Sequence, residues 1–340
     1  MENILQIKNL SVSFHTKQGE VEAVRDVSLA LRKGETLAIV GESGCGKSVL
    51  CKSVLKLLPP NAVIKQGKII ADNRDITRYS ESQMQSLRGS LFSMVFQDPM
   101  MSLNPTIPVG RQITEALLRH QQISQQEADR RALELLELVG LEEPVRRFFL
   151  QPHFFSGGMR QRCVLAIALA SNPQILFADE PTTALDVTMQ AQILTLLQLL
   201  QKQMALSIVF VSHDLGVVAR IADRVAIMYA GKVVEIGTAE EIFYDPRHPY
   251  TWGLLQAQPC FTPRGGRLHS ISGMPPSLLN PPPGDAFAER NEYAMEIDYE
   301  KMPPFFKISD THSAATWLLD SRAPQVMPPK LLEIRGKQIV

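Results

Sequence analysis

The chain has few cysteines, few aromatics and no surplus of either charge. Its 340 residues include four cysteines and two tryptophans, and 35 basic residues balance 35 acidic ones. Cys45, Cys51, Cys163 and Cys260 show no C-x-x-C spacing. That argues against a disulfide framework or a cysteine zinc site and suits a reducing compartment. Zero net charge gives no broad electrostatic footprint for nucleic acid. The stretch from Met1 to Lys8 alternates like a strand and lacks the apolar core of a signal peptide. The uncharged run Cys163 to Ala178 is interrupted by Ser171-Asn172-Pro173-Gln174, and no segment is expected to span a bilayer alone. Action at a membrane would require docking onto another chain. The composition, 45% hydrophobic and 21% charged, is that of a globular protein with one large domain plus an appendage, or two domains.

The most informative stretch is Gly41-Glu42-Ser43-Gly44-Cys45-Gly46-Lys47-Ser48, which fits G-x-x-x-x-G-K-[ST]. The apolar run Thr36 to Val40 before it reads as a buried strand, and Ser48 to Leu55, through Val49, is apolar at helical spacing. Strand, glycine loop and helix together make a phosphate cradle. Backbone N–H groups turn inward on a polyphosphate, and the helix N-terminus adds partial positive charge. Lys47 is expected to reach the β- and γ-phosphates, and the Ser48 hydroxyl to ligate Mg²⁺. Downstream, Ile175 to Glu180 is a buried strand ending in two carboxylates. Ligands sit at the carboxyl ends of parallel strands. Asp179 is therefore expected to hold the Mg²⁺ hydration shell, and Glu180 to accept a proton from the attacking water or to orient it.

Between these motifs the pattern changes. Residues 3–34 read as short strands, 66–73 as a hairpin strand and Leu91 to Phe96 as a buried strand. From about 98 to 165 the character is helical, with an amphipathic segment Glu127 to Val139 ending at Gly140. Strands at 175–178 and 208–211 flank a helix over about 187–203, which implies a mainly parallel sheet. Residues 224–229 and 232–236 read as a hairpin through Ala230-Gly231. After about 245 the chain is rich in proline and glycine, an irregular appendage.

Ser156-Gly157-Gly158-Met159 precedes the acidic strand and opens the apolar helix Cys163 to Ala170. A hydroxyl, glycine N–H groups and a helix N-terminus form a second anion-binding surface. Here the chain resembles the ATP-binding-cassette ATPases, with Phe155 and Met159 where that family usually has Leu and often Gln. The resemblance covers residues 1 to about 240 and implies an α/β P-loop NTPase core, an N-terminal antiparallel β subdomain and a helical signature subdomain. It implies that Ser156 to Met159 serve the γ-phosphate bound by a partner subunit. Gln97 matches the glutamine that touches Mg²⁺ and water. Ala184, Leu185 and Asp186 match the loop that contacts the partner. His213 matches the switch histidine at the γ-phosphate, and Phe14, with His15 adjacent, lies where an aromatic stacks on adenine. The implied ligands are ATP and Mg²⁺, the latter held by Ser48, Gln97 and Asp179.

One cassette without a membrane span resembles the separate-subunit arrangement of bacterial importers. Residues 245–255 and Ser272 to Pro276 are similar to segments of oligopeptide/dipeptide permease ATPases, and Trp252-Gly253 resembles the first of that system's two ATPase subunits. The division this implies is a nucleotide-binding domain over 1–244 and a permease-type extension over 245–340. The expected partners are a second ATPase subunit, two transmembrane permeases and, indirectly, a substrate-binding protein. The expected location is the cytoplasmic face of the membrane, and residues 98–105 are the expected docking surface. Nickel or metallophore uptake, and a soluble cassette acting on nucleic acid or ribosomes, are the rival readings. Many relatives carry four cluster-binding cysteines in the extension. Here Asp285, Asn291 and Asp298 keep the spacing and Thr316 takes the fourth place, so no iron–sulfur cluster is expected. Phe287, Tyr293, Met295, Phe305, Phe306 and Trp317 are expected to pack the tail instead. A metal site from Asp285, Asp298 and His312 is the lesser reading, since isolated tail acids are usually solvated.

Overall fold

The structure is a computed structural model that describes residues 2–98, 102–183, 185–258 and 270–329. Its strands are β1 (Asn3–Thr16), β2 (Gly19–Arg32), β3 (Thr36–Val40), β4 (Ala62–Ala71), β5 (Arg74–Asp75), β6 (Phe92–Val95), β7 (Ile175–Asp179), β8 (Ser207–Ser212), β9 (Arg224–Tyr229), β10 (Lys232–Thr238), β11 (Phe306–Lys307) and β12 (Ser313–Ala314). Its α-helices among the described residues are α1 (Lys47–Val54), α2 (Glu81–Leu87), α3 (Val109–His120), α4 (Gln125–Leu138), α5 (Pro144–Phe148), α6 (Gly157–Leu169), α7 (Val187–Met204), α8 (Leu215–Ile221), α9 (Ala239–Tyr244), α10 (Pro249–Gln256) and α11 (Glu296–Glu300). They form two compact units: one from the described residues of 5–30, 37–77 and 212–340, the other from those of 1–4, 31–36 and 78–211.

In the first unit, β1 and β2 are long strands of 14 residues each rather than the short ones their sequence suggests. A register shift between Lys8 and Ser11, with Asn9 at φ 49°, lets β1 bend and continue pairing with β4 from Leu5↔Ala71 to Phe14↔Ala62. The antiparallel order is β2-β1-β4-β5. A separate set of strands places β9 between β3, to which it is parallel, and β10, to which it is antiparallel. Ala230 and Gly231 between β9 and β10 have φ of 44° and 80°, the paired left-handed conformation of a tight hairpin. The appendage is less irregular than its composition suggests. β12 pairs with β10 at Glu235↔Ala314, and β11 pairs with β12.

In the second unit, β8, β7 and β6 lie side by side and all parallel. β7 and β8 are buried at every position, as expected of strands covered on both faces. The crossover between them is α7, started by Asp186, whose carboxylate accepts from the Met189 N–H at 2.9 Å. Helices α3 to α6 pack through small contacts. Ala128, Ala132 and Leu136 are the buried stripe of α4, and a Cβ on Gly110 would lie 2.3 Å from the Phe148 ring.

Candidate nucleotide site

The glycine loop leaves β3 under tight steric constraint. A Cβ on Gly41 would sit 2.0 Å from the Met228 carbonyl oxygen, and one on Gly46, at φ 101°, would sit 2.2 Å from that of Ala23. Only glycine fits either place, which explains two fixed letters of the motif. The Gly231 N–H donates to the Cys45 carbonyl at 3.0 Å, tying the loop to the β9–β10 hairpin. Lys47 opens α1 and is buried; its Nζ donates to the carbonyls of Gly41 at 2.7 Å and Glu42 at 2.9 Å. The ammonium thus lies folded across the mouth of the loop. Burial raises the Cys45 thiol pKa, although Lys47 acts in the opposite direction, so this cysteine stays a neutral packing group. Ser48 and Val49 follow on the first turn of α1, both half-buried. Ser43 and Gly44 are exposed at the loop tip.

The other expected catalytic groups occupy the second unit. Asp179 ends β7 and is buried, 3% exposed. Glu180 follows at φ 49°, a conformation that costs a non-glycine residue on the order of 1–3 kcal/mol. Its N–H donates to the Val211 carbonyl at 3.0 Å, and its Oε2 accepts from Gln97 Nε2 at 3.2 Å and Thr183 Oγ1 at 3.0 Å. Gln97 and Thr183 thus converge on one oxygen of the Glu180 carboxylate.

Ser156 caps α6, its Oγ accepting from the Met159 N–H at 3.4 Å. Ser156 and Gly157 are exposed, whereas Gly158 is buried, and a Cβ there would lie 2.6 Å from Met189 of α7. The start of α6 is therefore packed against the helix that Asp186 caps. Phe155 is buried under Arg147, whose guanidinium lies 6.0 Å from its ring centroid, so the aromatic at this place is a packing substitution. Leu185 is half-buried and Asp186 exposed, while Ala184 lies outside the described residues. So do Pro99, Met100 and Met101 of the expected docking stretch; Leu103 within it is buried. In the first unit His213 is exposed just after β8, and Phe14 is half-buried on β1.

Residues 24–183 match the family model "ABC transporter", and residues 234–297 match "Oligopeptide/dipeptide transporter, C-terminal region". The chain is 56% identical over 338 residues to the oligopeptide transport ATP-binding protein OppD of Bacillus subtilis, covering 99% of this chain and 94% of that protein. The chain belongs to the ABC transporter ATPases. It is also 54% identical to the dipeptide transport ATP-binding protein DppD of Lactococcus lactis, covering 99% and 97% of the two chains. Among solved structures it is similar to a dimeric ATP-binding cassette in a post-hydrolysis state bound to ADP and phosphate, with TM-score 0.63, 29% identity and coverage of 69% and 98%. The cassette cbiO1 of Clostridium perfringens, part of the ABC transporter complex cbiONQ, gives TM-score 0.63 at 28% identity, with coverage of 72% and 92%. The family's P-loop NTPase fold follows, and with it ATPase activity as the class of reaction.

In this ABC ATPase the four positions that replace cluster cysteines are not solvated. Asp285, Asn291, Asp298 and Thr316 are all buried. Each side-chain oxygen accepts a nearby backbone N–H: from Phe287 at 3.0 Å, Tyr293 at 3.0 Å, Met295 at 2.7 Å and Leu318 at 3.3 Å. Burial raises the Asp285 carboxyl to about 6 and also raises that of Asp298. Expecting these acids to be solvated was wrong, because sequence alone does not report the turns that enclose them. His312 is not grouped with them; its Nε2 lies 2.8 Å from the buried Glu235 carboxylate. No group of three His, Cys, Asp or Glu side chains able to hold a metal ion occurs among the described residues. Phe287 packs against Tyr229 and Tyr250, Tyr293 against Trp252, and Phe306 against Trp317, but Phe305 is 51% exposed.

Three participants escaped the sequence reading. Thr183 bonds the Glu180 carboxylate, Tyr250 bonds the Glu42 backbone in the glycine loop, and Arg290 pairs with Glu42. Thr183 was legible as the third residue after Glu180. The other two carry no local signal.

Proposed function

We propose that this chain is the ATP-hydrolysing subunit of a bacterial importer that takes up oligopeptides through separate membrane subunits. The observation that carries the ATPase half is the loop over 41–48: two glycines with no room for a Cβ, and a buried lysine folded over the loop's own carbonyls. The peptide half is supported by full-length similarity to peptide-transport ATP-binding proteins and by the matching C-terminal region.

In this reading Lys47 and the loop N–H groups hold the phosphates of ATP, with Phe14 at the adenine. Ser48, Gln97 and Asp179 would hold Mg²⁺, which supplies charge neutralisation at the phosphates when bound. Glu180 is the general base toward water, oriented by Gln97 and Thr183, and His213 senses the γ-phosphate. Ser156 to Met159 serve the nucleotide of a second ATPase subunit, with Ala184 to Asp186 at that interface. The chain contributes half of each of two composite sites, and ATP-dependent closure is a two-state element biased by nucleotide. No described helix is long and apolar enough to cross a membrane. We therefore place the chain peripherally, bound to two transmembrane permeases at the cytoplasmic face.

Reconstitution with co-purifying membrane subunits tests this. ATP-dependent uptake of a labelled oligopeptide, abolished by Lys47→Ala, is the expected result. Uptake of nickel chelates but not peptides by the same complex would overturn the cargo assignment and leave the ATPase intact.

A further inference from the structure

Glu42, the second residue of the phosphate loop, is held by an arginine 248 residues away. Arg290 Nη1 donates to Glu42 Oε2 at 2.8 Å and Nη2 donates to Oε1 at 2.9 Å, a two-pronged charged pair. The Arg290 side chain is 5% exposed and that of Glu42 27%, so the pair is shielded far more than an ordinary surface bridge. The arginine is itself anchored. Its Nε donates to the Ser272 carbonyl at 2.9 Å, its Nη1 to the Tyr229 hydroxyl at 3.2 Å, and its guanidinium faces the Tyr229 and Phe287 rings. The backbone of Glu42 is fastened as well, its N–H donating to the Tyr250 hydroxyl at 2.9 Å. Tyr250 is fully buried at the start of α10, where the His248 imidazole accepts its N–H at 3.0 Å.

Both ends of this arrangement bear on nucleotide binding. A loop that presents N–H groups to a polyanion is poorly served by a carboxylate in its first turn, because like charges repel most where water is excluded. The guanidinium neutralises that charge and fixes its direction. The Glu42 carbonyl is in turn one of the two acceptors that hold Lys47. Displacing Glu42 would therefore disturb the phosphate-binding ammonium too.

We propose that Arg290, with Tyr250, is a positioning residue for ATP: the C-terminal extension neutralises and orients Glu42 and thereby sets the phosphate loop to receive the nucleotide. The inference rests on reading residues 41–48 as the ATP loop. It makes the extension part of the nucleotide machinery.

The test is MgATP titration of the full-length chain, with melting temperature measured in parallel. Arg290→Ala is expected to weaken MgATP binding about tenfold, and adding Glu42→Gln to restore most of the affinity, because the charge that needed neutralising is gone. A purely structural arginine would not be rescued in this way. Wild-type affinity in Arg290→Ala, or a double variant as weak as the single one, overturns the proposal. Should Arg290→Ala not fold, Arg290→Lys and Arg290→Gln decide the matter: binding retained by Lys and lost by Gln supports it, and equal affinities overturn it. Lys47→Ala separates the two levels of the argument. If that variant binds MgATP as well as wild type, the reading of the loop fails, and the inference fails with it. If Lys47→Ala loses binding while Arg290→Ala does not, only the coupling to the extension fails.

Discussion

Gln97 Nε2 donates to Glu180 Oε2 at 3.2 Å across 83 residues of sequence, joining the end of β6 to the end of β7. Thr183 donates to the same oxygen at 3.0 Å. Two neutral donors on one oxygen orient the carboxylate, and Oε1 takes neither of these two bonds.

Glu180→Gln is therefore expected to bind MgATP normally and to lose turnover by about 100-fold or more, since general-base catalysis contributes on that order. A glutamine carbonyl can still accept from Gln97 and Thr183, so the apo melting temperature is expected to stay close to wild type. Steady-state ATPase measurements on the assembled transporter check this. Turnover near the wild-type rate would remove Glu180 from the role of base.

Ser156→Arg places a long cation at the exposed N-cap of α6. Because Gly157 beside it is also exposed, the fold has room for the side chain. The isolated chain is expected to keep its MgATP affinity, while hydrolysis in the complex falls by at least about tenfold as the cap loses its anion-binding surface. Loss of ATP binding by the isolated chain would show that Ser156 serves its own nucleotide and not a partner's.

Purified anaerobically, the protein is expected to contain no stoichiometric iron or sulfide. Oxygen ligands at Asp285, Asn291, Asp298 and Thr316 accept backbone N–H groups where cluster thiolates would be needed. Cys45, Cys51 and Cys163 are buried free thiols, and burial pushes that of Cys163 up to about 12. About one cluster per chain by iron and sulfide analysis would refute the expectation.

Asp285→Asn is expected to stabilise the protein above pH 6. Burial, reinforced by the charge of Asp298 and opposed by the Phe287 N–H, raises the Asp285 carboxyl from 3.8 to about 6. A carboxyl with a raised folded pKa contributes stability that is complete below about pH 4 and is lost as pH rises through about 6. At neutral pH the ionised group then costs roughly 3 kcal/mol. Asparagine keeps the acceptor for the Phe287 N–H without the charge. Melting curves at pH 4.5 and 7.5 are expected to show a gain of a few degrees at the higher pH and little at the lower. An equal gain at both would dissociate the effect from ionisation.

The glycine loop before α1, the acidic strand end and the helix capped by Ser156 were legible in the sequence because each is local. Gly41 and Gly46 announce backbone crowding, the four consecutive apolar residues Ile175 to Ala178 announce a strand buried on both faces, and Ser156 announces a cap. The Ala230-Gly231 hairpin was legible for the same reason. What tertiary structure alone decided is how distant charges meet. Nothing near Arg290 in sequence points to Glu42, and nothing near Asp285 says that it is enclosed. A proline-rich composition concealed two short strands, β12 paired with β10 and β11 paired with β12, and the turns that bury four polar side chains. Backbone conformation is set by residues a few positions apart. Burial and ion pairing are set by which segments the packing brings together.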